Sequence, residues 1–170
     1  RAFTLVSMTK DFSVQDSVIA DPVFPELGQS TVQQLYAMLA NHGRLRPLRL
    51  LGTDKPSEGT PLLSDAAAFM LLDMLRQNPR PDTSSASGIP NSLPVHWKTG
   101  TSNGFRDAWT VGVFGPYVLT VWLGNFDNMP NPALIGIQAA SPLFFELVNS
   151  INAAQPNLHS MQLQTPPDLM

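Results

Sequence analysis

The 170-residue sequence contains no cysteine. This absence excludes disulfide bonds, thiolate nucleophiles and cysteine-ligated metal sites, and it suits an oxidising compartment. Long apolar runs are also missing. No segment approaches the ~18 consecutive apolar residues of a membrane span, and none is typical of a secretion signal. We therefore expect this chain itself to be soluble.

Charge is sparse as well, at 14% charged residues and a net charge of −3. Nucleic-acid-binding proteins usually carry a basic patch. The basic cluster in this sequence consists of Arg44, Arg46 and Arg49, which we interpret as a solvated turn. We expect no nucleic-acid partner.

The three histidines give no sign of a metal centre. His42, His96 and His159 lie far apart in the sequence and lack the spacing of metal ligands. We therefore predict no metal site, and nothing in the sequence calls for another cofactor.

Three helices are predicted. The first covers 31–42, with Ser30 as its N-cap and Gly43 as its stop. The second covers 65–77 after Ser64, and its apolar composition on most faces predicts that it is well buried. The third opens at 141–142, where the proline occupies the first turn that it favours.

Strand signals dominate the centre of the chain. Segments 95–102, 107–115 and 117–126 have the β-branched and aromatic content of strands, and short connections join them into an antiparallel meander. Residues 1–10 could form another strand, whereas 11–29 is predicted as loop. The fold class is therefore α+β, with helices packed on an antiparallel sheet.

Two connecting segments are also interpreted. Residues 44–51 are predicted to form a short extended segment, limited by Pro47 to an edge or a turn. Residues 78–94, rich in proline, serine and glycine, are predicted to form an exposed connection.

The motif with the clearest chemistry is Lys98-Thr99-Gly100-Thr101-Ser102. On a strand, Lys98, Gly100 and Ser102 share one face, and the two threonines share the other. A lysine and hydroxyls beside a glycine suit an anionic ligand, and an exposed edge there could pair with an extended peptide. The alternative is an ordinary charged edge strand.

A longer pattern extends this motif. Over about residues 29–150, the sequence resembles the class A bifunctional penicillin-binding proteins. The resemblance is carried by the segments 35–41, 43–44, 46–50, 79–82, 97–102, 104–109, 115–117, 121–127 and 139–143.

The resemblance implies a partial penicillin-binding or β-lactamase-like transpeptidase fold. In that family a serine of an S-x-x-K motif attacks the penultimate D-Ala carbonyl of a peptidoglycan stem peptide. Lys98 and the hydroxyl of Thr101 would hold the terminal carboxylate, and the Thr101 N–H would be an oxyanion donor. Gly100 and Ser102 would complete the binding strand. β-Lactams would occupy the same cleft.

The expected nucleophile is not evident. Ser7-Met8-Thr9-Lys10 matches S-x-x-K in letters, but it lacks the family's Pro-Gly lead-in and has the pattern of a strand. No S-x-N motif lies between it and Lys98. Ser7 is therefore a weak candidate nucleophile, and whether the chain is an enzyme on its own is left open.

The hypothesis that accounts for these gaps is a fragment. Residues 29–154 would be the C-terminal half of a transpeptidase domain, with 1–28 as an extension or loop and 155–170 as a tail or linker. The missing half would be a partner, and the family setting is the bacterial periplasm at the inner membrane. The edge of strand 117–124 would be bare and able to self-associate, or covered by residues 2–8 or by another copy.

Two alternatives remain: a catalytically inactive peptide-binding or assembly module, and a compact acyltransferase that uses Ser7. Among other residues, Arg106-Asp107 is interpreted as a salt-bridged turn. The three tryptophans are interpreted as core or cleft-wall residues. These are Trp97, Trp109 and Trp122.

Overall fold

The structure is a computed structural model that describes residues 3–10, 14–19, 26–47, 57–82, 93–125, 127–155, 157–158 and 165–167. Its elements are β1 (Phe3–Lys10), β2 (Val14–Ile19), α1 (Glu26–Ala40), β3 (Arg44–Leu45), β4 (Thr60–Pro61), α2 (Asp65–Arg76), β5 (His96–Thr101), β6 (Asp107–Phe114), β7 (Tyr117–Gly124) and α3 (Gly136–Ala154).

The main sheet has the order β2-β1-β7-β6-β5 within the described residues, and all of its neighbours are antiparallel. The predicted meander of three strands is confirmed as β5, β6 and β7. The predicted strand within 1–10 is also confirmed. It is β1, which pairs with β7 along its whole length, from Phe3 opposite Gly124 to Lys10 opposite Tyr117.

This pairing decides between the alternatives for the edge of β7. Residues 3–10 cover it, so β7 is an interior strand of the sheet and is not bare. The prediction that 11–29 is all loop is wrong, because Val14–Ile19 forms β2 against β1. The segment VQDSVI is apolar only at its two ends, so it lacks the alternation that predicts a strand, and its pairing with β1 shifts register between Ser7 and Met8.

Helices cover both faces of the sheet. On one face, α3 packs on alternate residues of the central strands, and its own Phe144, Phe145 and Val148 are buried. On the other face, α1 and α2 pack over Val111, Val113 and Val118. The fold class predicted from the sequence, a mixed α+β arrangement with helices on an antiparallel sheet, is confirmed.

The first helix starts earlier than predicted. It begins at Glu26, so that Ser30 lies inside the helix and is not its N-cap. Its predicted end is close to the observed one. The chain leaves the helix after Ala40 through His42 and Gly43, both with positive φ. A β-carbon on Gly43 would also collide with the Leu63 carbonyl, so glycine is required there.

The third helix also starts earlier than predicted, at Gly136 instead of 141. Pro142 therefore lies inside the helix, where it leaves the Gln138 carbonyl without its usual N–H partner. Both residues are exposed, so water can satisfy that carbonyl. The proline was a misleading start signal.

The second helix has the predicted cap but not the predicted burial. Ser64 accepts a hydrogen bond from the Ala67 N–H at 3.2 Å, as an N-cap serine does. Only Ala68 and Leu72 are buried in α2. The prediction that this helix is well buried is wrong in this structure, because its outer side faces solvent.

Part of the predicted exposed connection, 78–94, is firmly anchored. The Asn78 side chain donates to the Trp97 carbonyl at 2.6 Å, and Arg80 and Asp82 form a salt bridge at 2.8 Å. Arg80 and Asp82 also bond to Asn149 of α3. Residues 83–92 lie outside the described residues.

Two remaining segments are short. The predicted extended segment 44–51 contributes β3, which pairs with β4, and 48–51 falls outside the described residues. Near the end of the chain, Leu158 is buried in the core on the α3 face. Among the described helices, none has the length and apolarity needed to cross a membrane.

Candidate functional site

Strand β5 carries the Lys98-Thr99-Gly100-Thr101 segment at one edge of the main sheet, and β6 is its only strand neighbour in the described part of the chain. The Trp97 carbonyl points outward, since it accepts from the Asn78 side chain. Backbone groups alternate sides along a strand, so those of Thr99 and Thr101 also face outward. The edge therefore presents N–H and C=O groups to a ligand.

The side chain of Lys98 is exposed and folds back along this edge. Its Nζ atom donates to the Thr99 carbonyl at 2.7 Å. No carboxylate among the described residues forms an ion pair with it. A cation without a fixed counter-ion therefore sits at the edge, where it can exchange its carbonyl partner for an anionic ligand.

Gly100 lies beside this lysine on the same face of β5. A β-carbon built at Gly100 would meet only the Trp109 side chain, at an ordinary 3.5 Å. The packing of this chain therefore does not demand glycine at this position. The small residue instead keeps the surface of the strand clear.

Thr101 ends the strand against the start of α3. The Gly136 N–H donates to the Thr101 Oγ1 atom at 2.9 Å, while Ile135, the N-cap of α3, makes no side-chain cap bond. The threonine thus caps the helix from another element. Its hydroxyl keeps an O–H donor and a second lone pair for a ligand, and the helix end adds partial positive charge.

Gly136 makes this contact possible. A β-carbon there would lie 2.5 Å from the Gly100 carbonyl oxygen and 2.8 Å from that of Trp109. The first turn of α3 therefore rests directly on the backbone of β5 and β6. Sequence reasoning missed Gly136 because its role depends on a contact between distant segments.

A buried hydroxyl pair holds the same helix end. The Thr110 and Ser141 hydroxyls are 3.1 Å apart, and Ser141 donates to the Gly136 carbonyl at 3.3 Å. Thr110 and Ser141 are both fully buried. The sequence signal at Ser141 was interpreted as a helix start, whereas the residue lies within the helix and faces the sheet.

Ser102 organises the loop that follows β5. Its Oγ atom accepts from the backbone N–H groups of Arg106, at 3.2 Å, and Asp107, at 2.8 Å. The loop between them turns through Gly104 and Phe105, both with positive φ. The described contacts of Ser102 are therefore contacts within the hairpin, and its part in substrate binding stays a prediction.

Two tryptophans and an aspartate border the site on the sheet face of Lys98. Trp109 and Trp122 are half-buried, with ring centroids 6.3 Å apart. Asp107 accepts from the Trp122 indole N–H at 2.9 Å. This bond, and not a salt bridge to Arg106, is the contact that the structure gives the Asp107 carboxylate. Trp97 lies on the opposite face and packs edge-on against Phe145.

His96, at the other end of β5, is buried and donates from Nδ1 to the Leu72 carbonyl at 2.8 Å. Burial is the main reason that its pKa is lowered, and the Arg76 charge acts in the same direction. His96 lines a cavity of about 180 Å³ together with Asp73 and Arg76. No cluster of metal-binding side chains is found among the described residues.

Ser7 is not brought together with the β5 residues. It lies in β1, where its backbone pairs with Thr120 of β7 and Val18 of β2. Strands β7 and β6 separate it from β5, which is about 14 Å at the usual strand spacing. The helical spacing that places a lysine beside a serine in S-x-x-K is also absent from this strand.

Known proteins resemble this chain in sequence and in fold. It is 37% identical to penicillin-binding protein 1C of Escherichia coli over 123 residues, which is 72% of this chain and 16% of that protein. It is 36% identical to penicillin-binding protein 1B of Vibrio cholerae over 110 residues, or 58% and 14%. A search of protein-family profiles finds no match.

The fold has a counterpart in the crystal structure of penicillin-binding protein 1A from Haemophilus influenzae. The two superpose with a TM-score of 0.60 at 19% identity, over 79% of this chain and 27% of that one. The chain thus belongs to the penicillin-binding proteins. Within them it corresponds to a part of the transpeptidase domain of the class A proteins, and it spans only 14–16% of the length of the first two relatives.

Proposed function

We propose that this chain supplies the carboxylate-binding wall of a serine D,D-transpeptidase that acts on peptidoglycan stem peptides and binds β-lactams in the same place. The observation that carries the proposal is the edge of β5, which has no second strand neighbour among the described residues. There, an exposed lysine that has no carboxylate partner in the described part of the chain lies beside Gly100 and the outward backbone of Thr101.

In this proposal, each group at the end of a stem peptide has a partner on the edge of β5. The terminal carboxylate of the peptide would take the place of the Thr99 carbonyl as acceptor for Lys98 Nζ, and it would accept the Thr101 O–H. The Thr101 N–H would donate to the oxygen of the penultimate D-Ala carbonyl as negative charge develops there. One such donor contributes about 2.7–4 kcal/mol to transition-state stabilisation in other enzymes.

The nucleophile would come from the remainder of the domain. A serine hydroxyl there would lose its proton to a neighbouring base, bond to the penultimate carbonyl carbon and release the terminal D-Ala as the amine. An acceptor amine of a second peptide would then displace the serine. In this proposal the assembled protein works in the bacterial periplasm, anchored to the inner membrane as the family is.

A second candidate is a non-catalytic peptide-binding or assembly module. The observation in its favour is the position of Ser7 in a strand, three strands from Lys98. In this case the β5 edge would hold a peptide with a free carboxylate but would never acylate. The compact acyltransferase that uses Ser7 is the third hypothesis.

Fluorescent penicillin followed by intact-protein mass spectrometry tests the three hypotheses. The chain is assayed alone and with the part of Escherichia coli penicillin-binding protein 1C that precedes the aligned 123 residues. We expect no adduct on this chain and a penicillin adduct on the added part that forms faster when the chain is present. Lys98→Ala should slow that acylation by about 10²-fold or more.

Arg106→Ala is the matched control, because Arg106 is another exposed cation, in the loop that joins β5 to β6. It should leave the rate unchanged. An adduct on this chain that Ser7→Ala abolishes would establish the compact acyltransferase instead. Acylation of the added part at the same rate with and without this chain would leave the non-catalytic module as the better account.

A further inference from the structure

The cavity that contains His96 lies at the start of β5, at the opposite end of this strand from Thr101. Its volume is about 180 Å³, and its base is mainly apolar, with the buried Leu93, Val113 and Phe114. Ligand sites are typically concave and apolar, with a few well-placed polar groups. Since a cavity of about 150 Å³ accommodates benzene, this one has room for a small organic molecule.

The base of the cavity also contains one hydrogen-bond acceptor, the imidazole of His96, which is 8% exposed. The Leu72 carbonyl can only accept, so His96 Nδ1 carries a proton and donates to it. In the neutral ring this leaves Nε2 as an acceptor. Among the described residues Nε2 has no hydrogen-bond partner, and it is not sealed from solvent. It can therefore accept an N–H or O–H from a ligand.

Charges of both signs stand at the mouth of the cavity. Asp73 and Arg76 of α2 line it and are exposed. Their spacing of three residues places them on the same side of the helix. In the described part of the chain neither forms an ion pair, and Asp73 accepts only a long hydrogen bond from Gln77, at 3.5 Å. Asp73 raises the pKa of His96 and Arg76 lowers it, so both charges are close to the ring.

The C-terminal segment adds a hydroxyl to this mouth. Thr165 lines the cavity and is exposed, whereas the adjacent Pro166 is buried. The segment is therefore packed against the fold where it meets the cavity. The Thr165 hydroxyl is both a donor and an acceptor.

We propose that this cavity binds a free α-amino acid with a short apolar side chain. The ammonium group of the ligand donates to His96 Nε2 and to the Asp73 carboxylate. The ligand carboxylate accepts from the Arg76 guanidinium and the Thr165 hydroxyl, and charge-assisted bonds of this kind are the stronger ones. The side chain contacts Val113 in the apolar base. This binding activity is separate from the proposed function, because none of these residues belongs to the Lys98 edge.

Other small ligands use the cavity less completely. A simple anion meets the Asp73 carboxylate, a simple cation meets the Arg76 guanidinium, and an apolar molecule leaves His96 Nε2 without a donor. An α-amino acid carries both charges on one carbon atom. It therefore pairs with both sides of the mouth while its side chain fills the base.

Binding is measured on the full chain of 170 residues by nuclear magnetic resonance. Both enantiomers of valine are titrated while the amide signals of His96 and Val113 are followed. We expect saturable shifts of these signals, with a Kd of about 1 mM or tighter for at least one enantiomer. Isovalerate lacks the ammonium group of valine, and isobutylamine lacks its carboxylate. Each should bind about 10-fold more weakly than valine, because a hydrogen bond to a charged group is lost.

Variants of the mouth show whether the shifts come from this site. Arg76→Gln and Asp73→Asn should each weaken valine binding by about 10-fold. Both residues are exposed, so both variants should fold, and thermal unfolding checks this. Arg106→Gln is the matched control, because Arg106 is exposed in the loop at the other end of β5. It should leave binding within about 2-fold of the wild type.

Four outcomes would overturn the proposal. These are no saturable shift at millimolar valine, equal binding of valine and of either single-charge analogue, equal binding by the wild type and both mouth variants, and tighter binding of the dipeptide valylvaline than of valine. The last outcome would assign the cavity to the end of a peptide. The penicillin assay tests the proposed function separately, and its result does not bear on this site.

Discussion

The two faces of the sheet differ in how completely they are covered. On the α3 face, Phe144, Phe145 and Val148 are at most 1% exposed, and the buried hydroxyls of Thr110 and Ser141 are paired. On the α1/α2 face, helices cover the middle of the sheet but leave Lys98, Gly100 and the two half-buried tryptophans uncovered.

The two faces therefore have different roles: the α3 face stabilises the fold, and the α1/α2 face carries the candidate site. The α3 face holds the strands at fixed positions through a buried apolar core. The α1/α2 face carries the exposed cation and Gly100. The α3 face nevertheless reaches the site at one point, through Gly136 and Thr101.

The largest change in unfolding free energy is expected when one apolar side chain is truncated on each face. Phe144→Ala should destabilise the fold by about 3–5 kcal/mol, because it leaves a cavity in a closed core. Met74→Ala should change the free energy of unfolding by about 0.5 kcal/mol or less. Urea denaturation monitored by circular dichroism measures both. Similar losses for the two variants would contradict the contrast between the faces.

The next test exchanges two glycines for alanine. Alanine usually stabilises a helix relative to glycine, but Gly136→Ala should destabilise by about 1–3 kcal/mol, because the methyl group meets two carbonyl oxygens. Gly100→Ala should be neutral or stabilise by up to about 1 kcal/mol, and it should slow acylation in the penicillin assay. A destabilised Gly100→Ala variant would show that packing, not ligand access, requires this glycine.

A third test uses the buried imidazole of His96. Burial lowers its pKa in the folded state, with the nearby Arg76 acting in the same direction and Asp73 against it. The unfolded chain therefore binds more protons below the ordinary value of about 6.5. Stability should be full above that pH and fall as the pH drops, by at most about 1.4 kcal/mol per unit.

The measurement is the difference in unfolding free energy between wild type and His96→Gln at pH 7.5 and pH 5.5. That difference should shrink or reverse at the lower pH. A constant difference would mean that the imidazole is not kept neutral by its surroundings.

The smallest expected effect concerns Asp82, which ties the 78–82 segment to α3. The Arg80 side chain, and then Asn149, hold the pKa of this carboxyl below its usual range. The ion pair therefore stabilises the fold above the unfolded pKa of about 3.9, and this contribution is lost as the pH falls through the folded value. Asp82→Asn should cost about 0.2–1 kcal/mol at pH 7, and less at pH 3. A cost that persists at pH 3 would mean that the charge is not what matters.

Much of the architecture was readable from the sequence, because its signals are local. The β-branched alternation of β6 and β7 and the serine cap of α2 depend on neighbours along the chain, and they were predicted correctly. The starts of α1 and α3 were missed, since Ser30 and Pro142 look like start signals but lie inside helices. In α3, the earlier start buries Gly136 and Ala140, so tertiary packing overrides the local signal.

In the candidate site, too, the features with a local sequence signal were predicted and those that depend on tertiary contacts were not. The strand with Lys98, Gly100 and Thr101 was recognisable from its order of residues. The contact from Gly136 to Thr101 joins segments 35 residues apart and left no local signal. The solvent-exposed side of α2 could not be inferred either. An apolar composition predicts that a helix is buried, but it does not identify the element that covers it.

The pairing of β1 with β7 has a consequence for how the chain folds. The β5-β6-β7 meander joins strands that are neighbours along the chain. Its formation therefore costs little loop-closure entropy, and it can form early. Strand β1 has to return from the other end of the described chain, with Phe3 meeting Gly124. We therefore expect it to dock late. Until it does, β7 presents an open edge to other molecules, so a chain shortened at its N-terminus should aggregate during refolding at concentrations that the full chain tolerates.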